Sequence, residues 1–126
     1  MKTNDFQLSP NFNLSEFECS HCGAVKLHPK LLELLQELRD ILGVPLWFTS
    51  AYRCEIHNKS KAVKGAKNSQ HLHGRAVDIP VHITGLTYWQ LFDLVKWLGF
   101  TGIGVNPKKG FIHVDVREGD LVVFDY

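Results

Sequence analysis

Leu31, Leu35, Leu38 and Leu42 recur at helical spacing, in a run that opens on Pro29 and is followed by Gly43. Proline suits a first helical position and glycine the residue just past the end, so residues 29–42 are predicted to form a helix with its leucine stripe in the core. A second helix is predicted from Thr87 to about Leu98. Thr87 and Gln90 have capping-box spacing, Leu91, Leu94, Val95 and Leu98 form one face, and Gly99 ends the run. Elsewhere the apolar residues come in short β-branched or aromatic runs. Strands are predicted at Leu46–Tyr52, Ala76–Ile79, Gly102–Val105, Phe111–Arg117 and Leu121–Phe124. Asn106-Pro107-Lys108-Lys109-Gly110 is expected to join two of them as a hairpin. Leu14–Phe17 is expected to make a short turn that docks Phe17, Glu55–Val63 a brief helix, and Lys64–Ser69 a loop. The polar start, residues 1–11, is expected to be poorly ordered. This order of elements predicts an α+β fold with helices on a mainly antiparallel sheet.

At 126 residues the chain is expected to be one domain with one core, and a monomer. A formal net charge of +1 offers no broad basic field for nucleic acid and no acidic tail. No run approaches the roughly eighteen consecutive apolar residues of a membrane span. The start, Met1-Lys2-Thr3-Asn4-Asp5, shows no apolar signal-peptide region. Cys19, Cys22 and Cys54 are an odd set, which argues against a disulfide framework and fits a reducing compartment. They are expected to be ordinary thiols in or near the core. The alternative is a second metal held by these three cysteines and a histidine. A nucleic-acid binder built on Cys19 and Cys22 is disfavoured by the near-neutral charge and the lack of a second cysteine pair.

The candidate chemistry lies in Ser69-Gln70-His71-Leu72-His73-Gly74-Arg75-Ala76-Val77-Asp78 and in Phe111-Ile112-His113-Val114-Asp115. Two imidazoles and a carboxylate, His71, Asp78 and His113, fill three corners of a zinc tetrahedron. A free fourth corner marks a catalytic rather than a structural site. Gly74 permits a tight turn between His71 and Asp78. His113 comes from another strand, so the site is expected between neighbouring strands. Asp115 lies two residues on, on the same face and about 7 Å along the strand. His73 is the competing ligand, through a His-x-His pattern.

The segment Ser69-x-His71-x-x-Gly74-x-Ala76-x-Asp78 resembles the zinc-site signature of the D-alanyl-D-alanine carboxypeptidase family, which includes phage L-alanyl-D-glutamate endolysins and murein endopeptidases. Thr49-Ser50-Ala51-Tyr52-Arg53 resembles the family's strand ending in Ser-x-x-Arg. Phe111–Arg117 resembles the closing strand of one branch, and Glu16-Phe17-Glu18-Cys19 the usual entry. The resemblance covers about residues 12–118 and implies the fold shared with the hedgehog signalling domain. It implies one zinc per chain on His71, Asp78 and His113. It also implies that Arg53 holds a substrate carboxylate or carbonyl, and that Ser69 orients the first ligand or touches substrate. His57 and Asn58 are candidates to line the cleft.

The chain departs from the family at Gly110, where many members carry a Glu or Asp three residues before the last zinc histidine. Two assignments follow. Either His113 binds zinc and Asp115 is the base, or Asp115 binds zinc and His113 assists; the first is favoured. The activity implied is zinc-dependent hydrolysis of peptide bonds in peptidoglycan stem peptides or cross-links, by carboxypeptidase or endopeptidase action. The missing acid leaves one alternative, an inactive zinc-binding module that recognises cell-wall peptide. Without a visible signal peptide, the expected place is the cytoplasm until release, with action at the cell wall, as for a phage endolysin.

Overall fold

The computed structural model describes residues 4–59 and 69–126. Residues 1–3, the end of the expected brief helix through Val63 and the expected loop at 64–68 lie outside the described residues.

The leucine stripe forms α1, Pro29–Leu42, with Leu31, Leu34, Leu35 and Leu38 buried. Each such side chain contributes about 1.5–3 kcal/mol relative to leaving it in water. Proline opens the helix, the His28 side chain accepts from the Lys30 amide, and Gly43 closes it at φ 65°. A short helix, α2, follows at Glu55–Lys59. The other long helix, α3, is Tyr88–Leu98, capped by Thr87 and Gln90 in a reciprocal pair and ended by Gly99. Both helices were legible because Pro29 and Gly43, and Thr87 and Gly99, flank long apolar periods.

Two sheets form. A small ribbon pairs β1, Gln7–Ser9, with β2, Phe12–Asn13. Part of the start expected to be poorly ordered is therefore a strand, held to α1 through Ser9 and Asn11 on the Gln36 side chain. The main sheet has four strands: β3 Ala76–Pro80, β4 Gly102–Val105, β5 Phe111–Asp115 and β6 Val122–Asp125. Their spatial order is β3-β5-β4-β6. β5 runs antiparallel to both neighbours, and β6 joins β4 in parallel. The fold is α+β with a mainly antiparallel sheet, as expected. Ile103, Ile112 and Val114 turn to one face, where Leu35, Leu38, Leu91 and Val95 of the helices complete the core. His113 and Asp115 turn to the other.

The expected strand at Leu46–Tyr52 is a correction. It is an extended segment with one bridge, Ser50 to Asp78. Its backbone bonds scatter to several elements: Thr49 donates to Asp78, Tyr52 to Phe17 and Arg53 to His71. A chain whose amides serve three partners cannot run a ladder, whatever its side chains favour.

Candidate metal centre

β3 and β5 are in a register that sets Asp78 directly opposite His113. His71 arrives on a short 3-10 turn, Gln70–His73, that ends on Gly74 at φ 67°. A Cβ at Gly74 would overlap the Lys26 backbone, so only glycine makes this turn here. Ser69 caps the turn, its hydroxyl accepting from the His71 amide at 3.2 Å.

His71, Asp78 and His113 are all buried, with at most 2% of each residue exposed. Asp78 Oδ1 lies 3.3 Å from His71 Nε2 and 3.2 Å from His113 Nδ1. The two nitrogens are 3.2 Å apart. Ligands at 2.0–2.1 Å from a tetrahedral zinc are separated by about 3.3–3.4 Å, so this triangle has the size of one face of that tetrahedron.

The outward nitrogens are engaged elsewhere. His71 Nδ1 donates to the Ala51 carbonyl at 2.7 Å. His113 Nε2 donates to Asp115 Oδ2 at 2.7 Å. Each imidazole is thereby held with its other nitrogen facing the same spot, oriented as metal-bound histidines are. Asp78 Oδ1 is buried there and accepts no hydrogen bond among the described residues. Two ring nitrogens and an unpartnered buried carboxylate oxygen converging on one spot make a donor set that suits a cation. Burial lowers the His71 pKa, which keeps that ring neutral and available. Burial also works against a charged His113, but Asp115 and Asp78 outweigh it and raise that ring's pKa. A metal there displaces a proton from His113. For Asp78, burial works upward, but His71 and His113 hold the carboxyl far below its usual range.

Asp115 is fully buried and stands behind His113. Arg117 grips its Oδ1 and Oδ2 through Nε and Nη2 at 2.9 and 2.6 Å, and the Arg117 amide adds 3.1 Å. Burial raises the Asp115 carboxyl, but Arg117 and His113 hold it well below the carboxylate range. Of the two sequence assignments, the geometry brings His113 to the triad. Asp115 meets it only through the far nitrogen of His113.

Space for this buried carboxylate comes from β4. Gly102 lies opposite Asp115, and a Cβ there would overlap the carboxylate. Gly104 lies opposite His113, with a Cβ only 2.9 Å from that residue's own. On the other side Asp115 faces Ala76 of β3.

Arg53 is nearly buried. Its Nη2 donates to Asp78 Oδ2 at 3.2 Å, its Nε to Ser50 Oγ at 2.9 Å, and its Nη1 lies 3.5 Å from Asn58 Oδ1. Asn58 is thus behind Arg53, and His57 lies against His21 instead. His73 is exposed and outside the triad.

Tyr126 escaped the sequence reading. Its hydroxyl donates to Asp78 Oδ2 at 3.0 Å, accepts from Arg53 Nη2 at 3.1 Å and lies 3.1 Å from His71 Nε2. Its ring covers His113 at 4.7 Å between centroids. Burial and Asp78 push its hydroxyl pKa up. The parallel register of β6 on β4 carries it there, a long-range pairing that no local pattern announces.

No helix is long and apolar enough to cross a membrane among the described residues. A family model described as Peptidase M15 matches residues 8–115. Among curated proteins, none matches the chain.

Proposed function

The chain belongs to the peptidase M15 family, a family of metallopeptidases, and from that premise we propose that it is a zinc-dependent peptidase acting on peptide bonds of peptidoglycan stem peptides or cross-links. The observation that carries this reading is the orphaned Asp78 Oδ1, set between two imidazole nitrogens at tetrahedral-face spacing. His71 Nε2, Asp78 Oδ1 and His113 Nδ1 would hold the metal. Nitrogen and carboxylate donors suit zinc, and three protein ligands leave a position for chemistry. When bound, zinc supplies a Lewis acid that activates water and polarises the substrate carbonyl.

The residues around it have separate tasks. Ala51 and Asp115 fix the two imidazoles. Arg53 holds the outer oxygen of Asp78 and presents its guanidinium beside the site, where it meets a substrate carbonyl or carboxylate. Tyr126 lies over the triad, so substrate must displace its hydroxyl to reach the metal. Beside the site a groove lined by Glu16, Glu18, Ser20 and residues 48–52 runs to Ser50 and Ala51, the backbone that touches Asp78 and His71.

Asp115 is a positioning residue in this reading, not the base. Both oxygens are engaged, and a carboxylate held so far below its usual range is a poor proton acceptor. Asp115→Asn is expected to weaken metal affinity about ten- to a hundredfold, the usual cost of losing such a partner. Activity should return at saturating zinc. A variant that holds zinc as tightly as the parent and stays inactive would restore Asp115 as the base.

Arg53→Lys keeps the charge and loses the fork that reaches Ser50, Asn58 and Asp78 together. The expected result is a fall of about ten- to a hundredfold in kcat/KM with zinc content unchanged, as for loss of a charge-assisted bond of roughly 1.5–3 kcal/mol. If stability falls while activity per folded molecule stays intact, Arg53 is structural only.

Muropeptides incubated with the protein, with and without a chelator, test the whole reading. New termini found by mass spectrometry, absent with chelator, identify the bond and so separate carboxypeptidase from endopeptidase action. Zinc-dependent binding of intact muropeptides without cleavage would instead support the recognition module.

A further inference from the structure

A second group of metal-type side chains lies apart from the triad, at the turn after Phe17. The Sγ atoms of Cys19, Cys22 and Cys54 all lie within 4.8 Å of one another. All three are free thiols, and only Cys19 is buried. Cysteines that merely fill a core do not gather at its edge with two of their number in contact with solvent. The expectation that these are ordinary core thiols therefore does not account for Cys22 and Cys54.

The local backbone is shaped for thiolates. Cys19–Gly23 is a tight turn in which the Gly23 amide donates to the Cys19 carbonyl at 2.8 Å, and Gly23 adopts φ 75°. The Cys54 amide approaches Cys19 Sγ at 3.4 Å, and the His57 amide approaches Cys54 Sγ at 3.4 Å. Amide donors of this kind stabilise sulfur that carries negative charge. A fourth donor stands beside them: His21 Nδ1 is 3.5 Å from Cys54 Sγ. The His21 ring is stacked on His57, with the planes 10° apart. The His57 ring is in turn 3.4 Å from Ser20 Oγ through Nε2. A zinc–sulfur bond of about 2.3 Å gives sulfur–sulfur edges of roughly 3.8 Å in a tetrahedron, so the thiols need only a small contraction to close on an ion.

We propose that Cys19, Cys22, Cys54 and His21 form a second, structural zinc site that pins the turn after Phe17 to the segment carrying Arg53. Three thiolates and one imidazole make a closed set, with no position left for water. The consequence is mechanical. Cys54 follows Arg53 directly in the chain, so an ion there fixes the backbone from which the guanidinium reaches Asp78.

The test removes the triad first. The full chain carrying His71→Ala and His113→Ala, purified under reducing conditions and loaded with zinc alone, is expected to hold about one zinc per chain. Adding Cys22→Ser should bring that close to zero. Loading the same protein with cobalt should give thiolate-to-cobalt charge-transfer absorption, which nitrogen and oxygen ligands do not produce. The parent protein gives a readout that needs no variant: its thiols should react slowly with a chromogenic disulfide reagent and rapidly once a chelator is added. A triad-free protein that folds and binds no zinc overturns the site. So do parent thiols that react equally fast with and without chelator, or a mass showing a disulfide among the three cysteines in the protein as purified. Because the triad is absent from the first variant, failure here leaves the peptidase reading standing, and failure of that reading leaves this one.

Discussion

His71→Ala is expected to bind about one metal equivalent fewer than the parent and to lose peptidase activity. The ring supplies one of three ligands, and none of its neighbours can substitute. His73 points from an exposed position on the same turn, and Tyr126 offers a neutral hydroxyl. The lost metal takes with it several kcal/mol of transition-state stabilisation, so kcat/KM should fall by at least about 10³-fold. His73→Ala should change neither quantity. Elemental analysis beside a peptide-release assay decides the matter. A His71→Ala protein with the full metal content of the parent would remove His71 from the centre, and with it the reading of the triangle it forms with Asp78 and His113.

Gly102→Ala is expected to be the most damaging single methyl group in the sheet. The new Cβ would occupy the place of the Asp115 carboxylate, which is fully buried and bonded to His113 and Arg117. Either β4 moves away from β5, breaking sheet contacts, or the carboxylate leaves its partners. Breaking a buried ion pair costs about 3–5 kcal/mol. For a domain of this size that is a drop of roughly 10 °C or more in Tm. Because Asp115 orients His113, zinc affinity should fall along with stability. Gly119→Ala is the control. No atom lies within 4 Å of its added Cβ, so it costs only the left-handed backbone penalty of roughly 1–2 kcal/mol and leaves zinc binding alone. Thermal unfolding and zinc titration on the two variants settle the comparison. Equal melting and equal affinity for Gly102→Ala and the parent would show that β4 yields freely and that the close approach carries no weight.

The two long helices were readable because periodicity, caps and closing glycines agree over many residues, as at Pro29, Gly43, Thr87 and Gly99. The triad was readable for a related reason: the signature around His71 and Asp78 is compact, and His113 sits in a run with strict alternation. What failed was decided at long range. Leu46–Tyr52 has strand-like side chains, but its amides are shared among β3, Phe17 and His71. Where Asp115 stands relative to the triad depends on which nitrogen of His113 faces Asp78 and His71, and spacing alone does not carry that. The two-pronged grip of Arg117 on Asp115 follows from how the chain leaves β5. Tyr126 reaches the centre only because β6 pairs in parallel with β4, across a register that begins at Gly102 and Val122.

The alternation along β5 ties two properties that are often separable. Ile112 and Val114 face the hydrophobic core while His113 and Asp115 face the ligand centre, so slipping the strand by one residue would exchange the two sets. The wrong register would then lose both the buried apolar area and the ion. A metal ion on the triad would bind only the correct pairing and so proofread strand alignment. Its free energy adds to the native register as RT ln(1 + [zinc]/Kd), about 2.7 kcal/mol at a hundredfold excess over Kd. Folding in metal-poor and metal-rich media should therefore differ in the yield of correctly aligned molecules.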